Sequence, residues 1–328
     1  PILDSVKYYE DEYLALIKNK KAIPKSSYKV KITAPCMEAC PVHLDIPGYI
    51  ELIKNRRYSE SLNLIRDGNC LPGICGRVCT APCEDSCKRE DIDGHLAIRV
   101  LKRYVADWEL ENGLAPLPSK PQKSKEKVAI IGAGPAGLAC AYNLALKSYQ
   151  VKIFEELPLA GGMAAVGIPQ YRLPKDILNR EIGIINHIGV EIRLNIKIGR
   201  DLLIEDLWEE GYKAIFIAVG AHKSSKIGAE GEDRGYEGFV DGVKFLRDVN
   251  LGKRLEPKNK VLIVGGGDVA VDCAKTCLRV GFKDVNIVYR RSRAEMPARR
   301  AEVEEAEKEG VNISFLAAPT KILGNNGK

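Results

Sequence analysis

Eighteen residues of this 328-residue chain, CLPGICGRVCTAPCEDSC at 70–87, hold five cysteines. The last four, Cys75, Cys79, Cys83 and Cys87, are each separated by three residues, and PCMEACP upstream adds Cys36-x3-Cys40 followed by Pro41. Thiols at this density form disulfides, bind zinc or hold iron–sulfur clusters. Structural zinc favours C-x2-C knuckles, and none occurs here; the C-x3-C-P tail is that of bacterial ferredoxin runs. Iron–sulfur ligation by Cys36, Cys40, Cys75, Cys79, Cys83 and Cys87 is the leading reading, zinc the second and a disulfide framework the third. Cys70 stands outside the spacing and reads as a buried or surface thiol. His43 reads as a polar residue at a helix start rather than a ligand. Cys140, Cys273 and Cys277 read as packing residues, because buried Cys behaves as a small hydrophobe.

A second chemistry begins at Val128. VAIIGAGPAGLACA reads strand, glycine-rich turn, helix, with Gly132, Gly134 and Gly137 as G-x-G-x-x-G. In such a unit the first glycine permits the turn, the second lets backbone approach a pyrophosphate, and the third packs helix on strand. Pro135 and Ala136 open the helix, whose free N–H groups face the anion. Glu155 ends the next strand about twenty residues on, where a carboxylate accepts from a ribose hydroxyl. The unit recurs as VLIVGGGDVAVDCA, with Gly265, Gly267 and Ala270 as the G-x-G-x-x-A variant and Asp268 and Val269 at the helix start. Its second strand ends in Tyr289, Arg290 and Arg291 where the first copy has Glu155. Arginines there bind a 2′-phosphate that a carboxylate would repel, so NADP(H) is expected at this site, with NAD(H) the alternative. Two such sites, FAD first and NADP second, would transfer hydride between cofactors, with no side-chain acid or base required. A flavin releases electrons singly, and iron–sulfur clusters are one-electron carriers; the thiols then have a purpose.

These motifs need three supports. Residues 1–118 read as helical, with helical spacing in DIPGYIELIKNRRYSESLNLIRDG and a further helix in AIRVLKRYVADWEL. The Pro-, Ser- and Lys-rich run before Val128 is a linker, placed at 119–127. An FAD-binding domain (first part) is expected at 128–225 and an incomplete NAD(P)-binding domain at 226–328. The fold class is thus an N-terminal α-helical iron–sulfur domain followed by two α/β Rossmann-like domains, the second incomplete. EVEEAEKEG is expected as an exposed helix face with carboxylate–lysine pairs. Hydrophobic residues make up 45% and charged residues 29%, which suits a soluble globular protein; the net charge of +6 is mild for this size. No apolar run approaches a membrane span, no signal peptide opens the chain, and nothing motivates nucleic-acid binding. Reduced thiols beside nucleotide-binding motifs place the protein in the cytoplasm.

Together the residues resemble the family of the small (beta) subunit of NADPH-dependent glutamate synthase. Its relatives include the N-terminal half of dihydropyrimidine dehydrogenase and the large subunit of NADH-dependent ferredoxin:NADP oxidoreductase. The resemblance rests on CMEACPVHLDIPGYI, CGRVCTAPCEDSCKRE, VAIIGAGPAGLACA, GGMAAVGIPQYRLP, GYKAIFIAVGA, VLIVGGGDVAVDCA and VYRRSRAEMPA, and runs from about residue 30 to the end. It implies two [4Fe–4S] clusters, with Cys40, Cys79 and Cys83 on one and Cys36 and Cys87 on the other. It also implies that Gly161, Gly162 and the IPQYRLP loop, with Ile168, Arg172 and Leu173, line the flavin.

Three departures qualify the resemblance. No cysteine precedes Cys36 in YKVKITAP, where many relatives have C-x2-C. Lys102 stands where dihydropyrimidine dehydrogenase completes a cluster with glutamine, and Cys75 can compensate at one cluster; one [4Fe–4S] cluster is expected, with a second open. The chain also stops before the family's return to the FAD domain, so another chain is considered as the source of that segment. The function implied is an electron-input subunit: NADPH reduces FAD, and clusters relay electrons to a partner such as a glutamate synthase large subunit or an electron-bifurcating, formate- or hydrogen-linked complex. The alternative is a non-catalytic FAD- and cluster-containing assembly module.

Overall fold

Three proline-initiated short helices explain the cysteine spacing. In the computed structural model, which describes residues 33–113 and 126–324, they are α1 (Pro35–Ala39), α4 (Pro72–Val78) and α5 (Pro82–Asp85). Proline suits a first helical turn, where its missing N–H has no partner to lose. Each helix carries one thiol within it (Cys36, Cys75, Cys83) and releases the next just past its end (Cys40, Cys79, Cys87). Between and after them run α2 (Ile46–Lys54), α3 (Tyr58–Gly68) and α6 (Ile98–Asn112), as the helical spacing predicts. Asp45 caps α2 by accepting the Gly48 N–H at 3.0 Å. A core of Leu44, Ile46, Tyr49, Leu62, Ile65, Ile98 and Val105 takes in Cys40 and Cys83. A buried bidentate pair, Arg66–Glu109 at 2.8 and 2.7 Å, ties α3 to α6. The expected linker lies outside the described residues up to residue 125, as do residues 1–32 and 114–118 of the expected helical region.

The first sheet is parallel, in the order β3-β2-β1-β4: β1 (Lys127–Ile131), β2 (Gln150–Phe154), β3 (Glu191–Arg193) and β4 (Tyr212–Ile217). Four of the five β1 residues are buried, as a central strand covered on both faces requires. Helices α7 (Pro135–Leu146) and α9 (Lys175–His187) pack on it, with short α8 (Met163–Val166) between them in sequence; α10 (Ile204–Glu209) precedes β4. The second sheet is parallel too, in the order β5-β6-β7: β5 (Lys260–Val264), β6 (Asp284–Tyr289) and β7 (Asn312–Phe315). It packs with α11 (Gly242–Asn250), α12 (Asp268–Val280) and α13 (Arg300–Lys308). The described residues from 35 onwards form one compact unit.

Helix α13 is half of what its sequence suggests. Its polar face is exposed, but Val303 and Ala306 are buried. The carboxylate–lysine pairing runs between helices: Glu305 and Glu309 reach Lys275 of α12, which is fully buried, at 2.5 and 3.3 Å.

Candidate functional site

The three glycines of the first turn serve three different demands. Gly132 has φ +105°, and a Cβ there would lie 2.4 Å from the Ala218 carbonyl oxygen. A Cβ on Gly137 would lie 2.0 Å from the Gly132 oxygen, so this glycine brings helix against strand. A Cβ on Gly134 would meet nothing nearer than the Gly162 Cα at 3.9 Å. No protein atom therefore demands glycine at Gly134, and the space beside it is the cradle a close-approaching pyrophosphate needs. Pro135 and Ala136 are exposed at the start of α7, beside that space. Gly161 donates its N–H to the Ala133 oxygen at 2.8 Å, and a Cβ on Gly162 would strike the Gly134 Cα at 2.7 Å. The Gly161–Gly162 loop thus presses against the turn.

Glu155 is buried under this turn. Its carboxylate accepts the Ala133 N–H at 2.6 Å and the Leu157 N–H at 2.9 Å. An ionised carboxylate has about four acceptor sites, so capacity for a ribose hydroxyl remains. These features fit an adenine dinucleotide.

The second turn repeats the arrangement with one change. Gly265 has φ +143°, and Gly267 has no atom within 4 Å of an added Cβ, the open position again. The intervening Gly266 packs flat on the Tyr289 ring, where a Cβ would fall 2.4 Å from a ring carbon. Val269 is exposed at the helix start, Ala270 is buried, and Asp268 accepts the Arg299 N–H at 3.4 Å. Arg290 and Arg291 are exposed at the end of β6, and among the described residues neither has a carboxylate within ion-pair range. Arg293 differs: it pairs with Glu307 and lies over the Phe315 ring.

In the IPQYRLP loop the side chains of Arg172 and Leu173 are taken up by the protein, which leaves the backbone, the part the resemblance assigns to the flavin, for that role. The Leu173 side chain is fully buried in the core of the first nucleotide-binding module. The Arg172 guanidinium lies on Asp272 of α12 at 2.6 Å and near Glu302 of α13 at 3.6 Å. Tyr171 adds a bond to Asp272 at 3.4 Å and stacks under the Arg279 guanidinium at 4.0 Å. Asn250 donates to the Val166 oxygen at 2.9 Å. The 163–173 loop is therefore fastened to the second module, through the helix that starts at its glycine turn. Burial pushes the Asp272 carboxyl up to about 6 against the pull of Arg172. Ile168 is half-buried on the first core, and Lys175 braces its carbonyl at 3.2 Å.

Helix α9 joins this machinery to the cysteines. Glu181 accepts the Gly73 and Ile74 N–H groups at 2.5 and 3.0 Å, capping α4 from another module. Burial lifts its carboxyl to about 7, the two N–H bonds and Arg66 and Arg77 opposing. Arg180 donates to the Glu109 oxygen at 3.0 Å.

All ten cysteines are free thiols. Among the described residues, no three Cys, His, Asp or Glu side chains converge as ligands of one metal ion. The cysteines nevertheless fall into neighbourhoods. Burial raises the Cys83 thiol to about 11; Lys102 opposes, while Cys79, Glu84 and Cys40 add to the rise. Burial also raises Cys36, with Cys87 and Cys40 contributing. Cys83 thus lies near Cys79 and Cys40, and Cys36 near both Cys87 and Cys40. Backbone donors point at two of the sulfurs: Ala81 N–H to Cys79 at 3.3 Å and Leu96 N–H to Cys87 at 3.5 Å. Ala81 reaches its position through φ +59°, an uncommon conformation for alanine. N–H···S bonds are a lever on iron–sulfur sites, and a cubane takes thiolates at its corners, farther apart than the ligands of one ion. The donor set fits. Cys70 lies in the other core, its thiol pushed up to about 12 by burial, and His43 is exposed with its ring on the Met37 oxygen at 3.2 Å. Cys273 and Cys277 are buried packing residues, and Cys140 packs on the first core.

The comparisons with known proteins agree with this geometry. Residues 126–328 match the model of the pyridine nucleotide-disulphide oxidoreductase family, and residues 8–114 match that of dihydropyrimidine dehydrogenase domain II, 4Fe-4S cluster. The chain is 48% identical to NADPH-Fe(3+) oxidoreductase subunit beta of Geobacter sulfurreducens, over 98% of this chain and 48% of that protein. It is 51% identical to NADP(+)-dependent formate dehydrogenase subunit beta of Moorella thermoacetica, over 92% and 46%. It is 38% identical to the glutamate synthase [NADPH] small chain of Escherichia coli, over 89% and 64%. The chain thus spans about half the length of the first two relatives. Among solved structures, FprA from Mycobacterium tuberculosis shares the fold at a TM-score of 0.52 and 18% identity, over 62% of each chain. No helix among the described residues is long and apolar enough to cross a membrane.

Proposed function

From the premise that this chain belongs to the pyridine nucleotide-disulphide oxidoreductase family, among glutamate synthase small-chain relatives with a 4Fe-4S domain, we propose that it is the electron-input module of a multi-subunit oxidoreductase. The observation that carries this reading is continuity. Arg172 ties the loop beside the first glycine turn to the helix of the second, and Glu181 ties the same module to the helix holding Cys75. FAD held by the first module would supply hydride acceptance from NADPH and single-electron release, and a [4Fe–4S] centre held by the cysteines would supply one-electron transfer.

The chain's own residues position and bind. Gly132, Gly134, Pro135, Ala136, Gly137 and Glu155 hold the flavin dinucleotide, with the backbone of Gly161, Gly162, Ile168, Arg172 and Leu173 lining it. Gly265, Gly267, Asp268, Val269 and Ala270 receive the nicotinamide dinucleotide, and Arg290 and Arg291 select its 2′-phosphate. Cys40, Cys79, Cys83 and Cys75 hold one cluster, and Cys36 and Cys87 face a second position. The partner is a redox subunit of the kind the relatives' names describe, and the module works in the cytoplasm. The proposed domain bounds are 128–225 and 226–328, and the division of the strands into two separate sheets supports them.

The test is the anaerobic absorbance of the protein before and after one equivalent of NADPH. Flavin bleaching with loss of the broad iron–sulfur absorbance is expected; bound flavin that stays oxidised would instead mark an assembly module. Cys79→Ser is expected to lose cluster iron while retaining flavin, measured by iron and flavin content. Full iron retention would remove Cys79 from the ligand set.

A further inference from the structure

Helix α6 lines the cysteine region with positive charge. Arg99 donates to the Cys79 carbonyl oxygen at 2.9 Å, and its N–H meets Glu84 beside Cys83 at 2.7 Å. One turn on, α6 and α4 touch closely: a Cβ on Gly76 would lie 2.8 Å from the Arg103 Cα. That contact places Lys102 and Cys75, the residues preceding Arg103 and Gly76, in the same packing region of the two helices. Lys102 is 8% exposed, on the helix that packs against the one carrying Cys75. Its neighbours in chain have partners: Arg103 pairs with Asp107 at 3.1 Å, as does Arg77 at 2.6 Å. Among the described residues no carboxylate lies within ion-pair range of Lys102.

A lysine drawn almost wholly into the fold without a carboxylate partner carries its charge at a cost, which an anion nearby offsets. The nearest candidates are thiols, and a thiolate-held cluster is the anion they would form. An ammonium cannot ligate iron, since it has three donors and no acceptor. We infer that Lys102 is a charge-compensating residue of the centre held by Cys75, Cys79 and Cys83, stabilising its reduced form. This rests on the iron–sulfur reading above. Reduction adds one electron and hence one negative charge; a fixed cation nearby favours that state, since net charge is one of the determinants of cluster potential. Lys102 then makes this centre a better acceptor for electrons leaving the flavin, without entering the coordination sphere.

The experiment is an EPR-monitored redox titration of the holoprotein as Lys102→Met and Lys102→Arg, with iron and flavin content measured on each. The centre is identified as the signal lost in Cys79→Ser. With Lys102→Met, the oxidised-to-reduced ratio at a fixed potential should rise about tenfold, a fall in midpoint of about 59 mV for one electron. Lys102→Arg, which keeps the charge, should titrate like the parent protein. Should Lys102→Met fail to hold its cluster, retention by Lys102→Arg still supports charge compensation, and loss from both overturns it. An unshifted Lys102→Met with full iron also overturns it, as does a Lys102→Arg midpoint lowered as far as that of Lys102→Met. A parent protein with no iron and no reduced-state signal would instead overturn the cluster reading beneath.

Discussion

Replacing Gly134 with alanine should yield a protein that folds normally and fails to keep its flavin. The added methyl meets no protein atom closer than 3.9 Å, and Gly134 has φ −72°, which alanine adopts freely. Its only conflict is with the ligand. A methyl thrust into a pyrophosphate contact costs at least about 1.4 kcal/mol, or tenfold in affinity, because the backbone can no longer approach. Gly132→Ala and Gly137→Ala should behave in the opposite order. The first combines φ +105° with a 2.4 Å clash against a carbonyl oxygen, and the second forces helix from strand over a 2.0 Å contact. Backbone strain of this kind costs about 1–3 kcal/mol before any clash is relieved. Thermal unfolding of the flavin-free proteins, with flavin affinity by fluorescence, separates the two classes. Unchanged flavin affinity in folded Gly134→Ala would show that no pyrophosphate approaches there.

The contrast shows what the sequence could carry. Glycine spacing encodes local geometry, so the turns, the strand–helix order and the role of each glycine could be read directly. The thiol spacing likewise encodes the three proline-initiated helices, because x3 spacing places one thiol within a helical turn and the next beyond its end. Lys102, Glu181 and the Arg172–Asp272 bond were not readable as interactions. Each joins segments that lie far apart in the chain: Glu181 caps a helix 108 residues upstream, and Arg172 meets a carboxylate 100 residues downstream. Nothing local marks an arginine in a loop as a clamp rather than a ligand. The resemblance assigns this loop's backbone to the flavin and says nothing of the Arg172 guanidinium, which the fold gives to Asp272 of the second module. Lys102 was visible only as a substitution at an expected ligand position; its burial on the helix that packs against the Cys75 helix was not.

The second large effect concerns choice of nicotinamide. Arg290 and Arg291 stand exposed just past β6, one and two residues beyond Tyr289, which takes the register position of Glu155 in the first module. Phosphate binding there would supply two charge-assisted hydrogen-bonding groups, each worth about 1.5–3 kcal/mol. Arg290→Ala with Arg291→Ala should therefore lower kcat/KM for NADPH by roughly 10²-fold or more. NADH, which lacks the phosphate, should be unaffected. Arg293→Ala is the internal control. Its guanidinium already pairs with Glu307 and covers Phe315, so its loss should leave the NADPH/NADH ratio unchanged. The preference should also shrink with added salt, because exposed charges are screened over about 10 Å at 0.1 M. Kinetics of flavin reduction with both nucleotides, at two ionic strengths, decide the matter. A double variant that keeps the parent's nucleotide ratio would assign the 2′-phosphate to other residues and leave Arg290 and Arg291 as solvated charges at a strand end.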